Sequence, residues 1–251
     1  MIQETLLQKR LEELAERAYA HNSFTFTDFL GLHEQNVLHI AERTLSYAGL
    51  TLYGGMEDCE RLMARFGDVK SAGYEQPFPI ACIQAEPQMQ KYADALTHRD
   101  ILGALMHLGI ERSCIGDILI YDNIAYFFCV ERMADTIIQE LSRARHTSLQ
   151  CTRISSPPAN LQKQKFPEML QVASIRADAV VCAVFSLSRR DGQSLFAAKK
   201  VFINGRCTEN PAVTLEEHVI VSVRGMGRFC YLETTGTTRK GNLRILVEKY
   251  Q

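Results

Sequence analysis

The sequence predicts an α+β protein assembled from several small domains. Three observations carry that expectation. Apolar residues recur at three- and four-residue steps in some segments and alternate in others, so helices and strands are both present. Two proline-containing breaks, "SAGYEQPFP" at 71–79 and "SSPPANLQKQKFP" at 155–167, interrupt the pattern. A chain of 251 residues is long enough for one large core or two to three small ones. The expected domains are 1–75, a mostly helical α/β domain, then 76–160, then 168–251.

Residues 3–20 read as an amphipathic helix with Leu6, Leu7, Leu11, Leu14 and Ala18 on one face. Thr27-Asp28 marks a short turn. A second helix over 33–48 turns Val37, Ile40, Ala41 and Leu45 inward. "LTLYGG" is a short strand closed by glycines, and 56–66 a third helix, whose start suits the acids Glu57, Asp58 and Glu60. After the first break come the strand "IACIQAE" and a helix capped by Thr97. Two strands joined at Asp122-Asn123 follow, then a helix over 131–145 and the strand "TSLQCTRI". That β-α-β-β-α-β order is the split βαβ layout, ferredoxin-like or RRM-like, which RNA-binding modules share with unrelated proteins. Past the second break, a strand near 169–175, helices over 177–185 and 188–198, and several strands make a compact α+β unit.

Composition is that of a globular chain, 46% hydrophobic and 23% charged. No apolar run approaches the roughly 20 residues that span a bilayer, and the N-terminus lacks the apolar core of a signal peptide, so a cytosolic protein is expected. The eight cysteines are scattered; the closest pair, Cys114 and Cys129, is 15 residues apart, with no CxxC. Such spacing offers no zinc site, and Cys82 and Cys182 in apolar surroundings read as core. His39 and His107, on otherwise apolar helix faces, read the same way. No metal and no cofactor is expected.

Charge is divided along the chain. Met1 to Ala173 carries 16 Lys and Arg against 22 Asp and Glu, a balance of −6, while Ser174 to Gln251 carries 12 against 7, a balance of +5. A basic C-terminal third on an acidic body suits an anionic partner as well as it suits a solvated face.

Within that third, "SLSRRDGQSLFAAKKVFING" places Arg189 and Arg190 just after Ser188, where a helix begins. Cations are disfavoured there by the helix dipole. Ser188 can cap the helix, and the remaining free N–H groups form a natural seat for phosphate. On that reading the arginines serve a ligand; the alternative is that they pair with Asp178 or Asp191. Lys199 and Lys200 close the same helix. Asn204-Gly205 makes a turn. Arg224 and Arg228 share a strand face unless Gly227 bulges. Arg239 and Lys240 sit in a polar loop. These cations are expected around one pocket.

At these spacings Arg176-x-Asp178, Ser188-Arg189 and "KKVFING" resemble the S4-type RNA-binding domain, first described in a small-subunit ribosomal protein. "VIVSVRGMGRF" and "TTGTTRKGNLRILVEKY" are similar to the YlmH family of bacterial S4-domain proteins. So are "LYGGMEDCERLMARF" and "LTHRDILGALMHLGIERSCIGDI" upstream. The resemblance implies an N-terminal domain, a middle RNA-binding domain and a C-terminal S4 domain. It also implies binding to ribosomal RNA and tRNA on the large ribosomal subunit, in ribosome-associated quality control of stalled peptidyl-tRNA, by a protein expected to be monomeric. At single positions it favours Arg176, Asp178, Ser188, Arg189, Lys200, Asn204, Arg224 and Arg228, and in the middle His98, Arg99, Arg112 and Asp117. Four positions depart from the pattern: Ala177 for leucine, Asp191 where bases are common, Gly192 in a helix, and Lys199 where glycine often ends one.

No catalytic constellation stands out. "GGMEDCER" lacks the lysine and hydroxyl of a P-loop, and "LTHRD" lacks the asparagine and DFG of a kinase. A non-catalytic RNA-binding factor is therefore expected. A pseudouridine-synthase-like RNA-modifying enzyme and a protein-interaction scaffold are the alternatives.

Overall fold

A computed structural model describes residues 2–158, 161 and 165–250. The chain divides into two compact units, Met1–Gln162 and Lys163–Gln251. Part of the proline-rich break at 155–167 lies outside the described residues.

The first unit opens with α1 (Ile2–His21), β1 (Thr25–Leu30), α2 (Leu32–Leu45), β2 (Leu50–Tyr53), β3 (Leu62–Phe66) and a single turn of helix, α3 (Val69–Ala72). The three strands form an antiparallel sheet in the order β1-β3-β2. α1 and α2 bury Leu11, Leu14, Leu38 and Leu45 against Ala64 and Phe66. The helix expected over 56–66 is absent: residues 56–61 turn, and 62–66 is the central strand. Its neighbours cover it, and four of its five side chains are buried. A strand enclosed on both faces loses its alternation and reads like a helix. The expected turn at Thr27-Asp28 is instead an irregularity within β1, between Phe26 and Phe29. There the Thr27 hydroxyl accepts the Ala64 N–H at 2.9 Å in place of a ladder carbonyl. Leu6 and Ile40, expected inside, are exposed, and Leu38 faces the core in place of Ile40. His107 is exposed and His39 half-buried, with Nδ1 3.4 Å from Glu42, so neither is a core histidine.

β4 (Ile80–Pro87), α4 (His98–His107), β5 (Ile115–Tyr121), β6 (Ile124–Val130), α5 (Ala134–Glu140), β7 (Arg143–Ala144) and β8 (Thr147–Ile154) complete the unit. Their five-stranded sheet runs β5-β6-β4-β8-β7, antiparallel throughout. Ile101, Leu105 and Ile137 from the two helices pack on Ile83, Ala85 and Phe127. Thr97 caps α4 in a reciprocal box with Asp100, as its position predicts. α5 is shorter than expected, because the chain turns after Glu140 and Ala144 enters the core on β7.

The join at 71–79 is held in place. Arg65 lies between the rings of Phe24 and Phe78, its guanidinium carbon 5.1 Å from each centroid. It also donates to the Gln76 carbonyl at 2.8 Å.

The second unit comprises β9 (Lys165–Val172), α6 (Ala177–Val184), α7 (Arg189–Ala197), β10 (Val201–Ile203), β11 (Arg206–Cys207), β12 (Val219–Val223), β13 (Gly227–Thr237) and β14 (Leu243–Tyr250). The strands form one antiparallel sheet, β11-β10-β12-β13-β14-β9. Val180, Val181, Val184 and Phe196 of the helices pack on Val221, Phe229, Ile245 and Val247. The expected strand near 169–175 begins and ends earlier, at 165–172.

Candidate nucleic-acid interface

Ser188 caps α7: its hydroxyl accepts the Asp191 N–H at 3.2 Å and donates to the Asp191 carboxylate at 2.7 Å. Asp191 therefore places a negative charge at the positive end of the helix, which offsets the two arginines beside it. Arg189 and Arg190 are exposed, and neither side chain enters a hydrogen bond or ion pair with another described residue. The proposed pairing of these arginines with Asp178 or Asp191 does not occur. Asp178 is held by Arg176, whose Nε and Nη2 reach its two oxygens at 3.1 and 2.8 Å. Asp178 is buried and also accepts the Ala179 N–H, so this pair fixes the start of α6.

α7 ends in a six-to-one and five-to-two pair of backbone bonds, Lys200 N–H to Leu195 O at 2.9 Å and Lys199 N–H to Phe196 O at 3.0 Å. Lys199 takes the left-handed position that this closure needs, with φ 55°. Its ammonium pairs with Glu209 at 3.0 Å, both ends exposed. A Lys199→Gly variant should be more stable by about 0.5–1 kcal/mol, since only glycine avoids the left-handed penalty and an exposed ion pair is worth less. The midpoint of urea unfolding reads it directly; a lowered midpoint contradicts it.

The Lys200 carbonyl accepts the Arg224 N–H at 2.9 Å, one step beyond the Val201–Val223 pair of β10 and β12. Lys200 and Arg224 thus stand opposite one another at the same end of the sheet, both exposed. Arg224 lies in the β12–β13 turn, where Gly225 has φ 85° and Met226 N–H bonds Val223 O. The start of α7 is near the same turn: Phe185, three residues before Ser188, touches the position a Cβ on Gly227 would take, at 3.9 Å.

Arg228 does not share a face with Arg224, because the turn separates them. It is buried, and its guanidinium carbon lies 4.3 Å from the Tyr250 ring centroid, directly across the β13–β14 ladder. Asn204 is also structural here: its side-chain oxygen accepts the Ile220 N–H at 2.9 Å, with φ 47° in the turn it makes with Gly205. Arg239 and Lys240 occupy the β13–β14 hairpin loop and are exposed. β13 has 11 residues, which puts that loop about 30–35 Å along the strand from the Arg224 turn. The second unit therefore carries two cationic groups, not one pocket. Lys200 and Arg224 meet at the β12–β13 turn, with Arg189 and Arg190 exposed at the start of α7, while Arg239 and Lys240 stand at the far end of β13.

In the first unit Arg99 is exposed on the opening turn of α4, beside His98. Arg112 is turned inward instead, its Nη1 donating to Ile115 O at 2.5 Å and Gly116 O at 3.3 Å. Burial lowers its pKa to about 10, and it is spent on the protein's own backbone. Asp117 is buried and accepts the N–H groups of Glu60 and Arg61 at 2.8 and 2.9 Å. Sequence reasoning missed Arg61, which donates to Phe29 O and Ile115 O at 2.8 and 2.9 Å and ties the two sheets together. Among the described residues no group of three or more His, Cys, Asp and Glu side chains is placed to hold a metal. No described helix is long and apolar enough to cross a membrane.

A family model described as "Putative RNA-binding domain in YlmH" matches residues 74–157. A Bacillus subtilis (strain 168) protein named "Ribosome-associated protein quality control protein P2" is 28% identical over 227 residues, 89% of this chain and 86% of that protein. A solved structure titled "Cell division protein ylmH from Streptococcus pneumoniae" is similar at 22% identity, with a TM-score of 0.47. The likeness covers 61% of this chain and 92% of that one. Residues 74–157 thus match the RNA-binding domain described for YlmH, and most of the chain is similar to a relative named for ribosome-associated protein quality control.

Proposed function

We propose that the chain is a non-catalytic factor of the cytosol that binds ribosomal RNA and tRNA on the large ribosomal subunit. Its place is in quality control of stalled peptidyl-tRNA. The residues around the β12–β13 turn carry this reading: Arg189, Arg190, Lys200 and Arg224 are exposed and unpaired among the described residues. They belong to a unit with 14 Lys and Arg against 8 Asp and Glu, a balance of +6. Surplus cations without internal partners are what a sugar-phosphate backbone requires. The relative named for ribosome-associated quality control supports the cellular setting. The sheet order β5-β6-β4-β8 supports a ferredoxin-like middle domain. The helix pair and hairpins after 165 support an S4-type module at the C-terminus.

Sedimentation with purified large subunits tests the proposal. The wild-type chain should pellet with them, and Arg189→Glu with Arg190→Glu should remain in the supernatant while keeping its melting temperature. Pelleting of the folded double variant at the wild-type level contradicts it. Nucleoside masses of RNA incubated with the protein should be unchanged; a modified nucleoside would establish an enzyme instead.

A further inference from the structure

The first unit is acidic: 14 Lys and Arg against 21 Asp and Glu give a balance of −7. One part of its surface reverses that sign. After β4 the chain folds back over the start of β8. Gln88 N–H bonds Ser148 O at 3.0 Å, Asp94 N–H bonds the Thr147 hydroxyl at 2.9 Å, and His146 N–H bonds the Asp94 carboxylate at 3.3 Å. Arg145 lies 3.7 Å from Asp100, which brings the first turn of α4 alongside. Both nearby acids are thus engaged internally. Lys91, Arg99 and Arg143 point to solvent on these tethered segments.

Between the 88–93 turn and His146–Ser148 lies a hollow of about 160 Å³, walled by Met89 and Tyr92. Those two side chains are 70% and 77% exposed. Arg143 stands opposite Ser148 in the β7–β8 pair, on the same sheet face as this lining residue. The Lys91 ammonium sits 5.7 Å from the Tyr92 centroid. A lysine beside an exposed aromatic ring, with Arg143 opposite a residue that lines the same hollow, matches the chemistry of an unstacked base flanked by phosphates. A duplex offers phosphates but keeps its bases stacked away from such a ring.

We propose that this surface binds an unpaired segment of RNA, with Tyr92 stacking on a base beside Met89 and Arg99, Arg143 and Lys91 holding the adjoining phosphates. The proposal rests on the RNA-binding reading above and gives the first unit a substrate preference different from that of the second. The test uses the full chain with two labelled probes, a short oligouridine and an RNA duplex of equal length. Tyr92→Ala should weaken oligouridine binding about five-fold or more and leave duplex binding within about two-fold; Tyr92→Phe should bind as wild type. Both variants change an exposed side chain, and their melting curves check the fold. Arg189→Glu with Arg190→Glu should weaken duplex binding while the Tyr92→Ala effect on oligouridine persists. Oligouridine affinity unchanged by Tyr92→Ala overturns the proposal while leaving the second unit's role intact. So does a Tyr92→Ala variant that keeps its RNA affinity but loses a ribosomal protein. If the wild-type chain binds neither probe, the underlying RNA-binding reading falls with it.

Discussion

Replacing Asp117 by alanine should destabilise the first unit by about 3–5 kcal/mol, the scale for stripping the counter-charge from buried cations. Its carboxylate holds the N–H groups of Glu60 and Arg61 at 2.8 and 2.9 Å, and its charge supports the guanidinium groups of Arg61 and Arg112. Burial lowers the pKa of both arginines. Without Asp117, two backbone donors lose their acceptor, at about 1–3 kcal/mol each, and two desolvated cations lose a supporting negative charge. The loop 54–61 is closely packed at its two glycines. A Cβ on Gly54 would meet the Arg61 carbonyl at 2.7 Å, and one on Gly55, with φ +105°, would meet the Phe128 ring at 2.3 Å. Asp117→Asn keeps one acceptor oxygen and should lose less. Thermal unfolding measures both; a loss below about 1 kcal/mol for Asp117→Ala, within the range of ordinary surface substitutions and small effects, contradicts the role given to this carboxylate.

Gly192→Ala should also destabilise the protein, although alanine is favoured over glycine inside a helix by about 1 kcal/mol. Gly192 is buried where α7 crosses α6, and an added Cβ would lie 2.2 Å from the Cys182 sulfur. That thiol donates to the Ser188 carbonyl at 3.5 Å, so displacing it also disturbs the cap of α7. Overpacking of this kind costs about 1–3 kcal/mol, which exceeds the helix gain. In a Cys182→Ala background the sulfur is gone, and the new Cβ would sit at an ordinary 3.8 Å from the residue 182 Cβ. There Gly192→Ala should become stabilising, with a coupling of about 2 kcal/mol between the two sites. Denaturant midpoints of the four proteins close the cycle. Equal effects of Gly192→Ala in both backgrounds would show that the sulfur is not the obstacle.

These two residues mark where the sequence stops being informative. Local chemistry was legible: the Thr97 cap, the Asp122-Asn123 hairpin with φ 47° and 59°, the Asn204-Gly205 turn and the bounds of α7 all follow from neighbouring residues. The glycine at 192 was visible as an oddity, but its cause sits on another helix ten residues back. Asp117 reaches partners 56 and 57 residues away, and Arg61 carries no local sign of the carbonyls it binds. β3 was misread because burial on both faces erases strand periodicity. In the candidate interface Arg189, Arg190, Lys200 and Arg224, singled out in the sequence, are exposed. The separation of the cations into two groups depends on an 11-residue strand whose register no local pattern reveals. Arg228 and Arg112 were indistinguishable from surface arginines until Tyr250 and the carbonyls of Ile115 and Gly116 came into view.

The most direct measurement of the central claim is the salt dependence of RNA binding by the full chain. Each phosphate neutralised contributes a log–log slope of roughly −0.7 to −0.9. The wild-type chain should give a slope of several such increments. Changing Lys200 and Arg224 to glutamate, at the turn shared with the start of α7, should make the slope shallower by about two increments and lower the affinity. An unchanged slope in that folded variant would contradict a phosphate-binding surface at the β12–β13 turn.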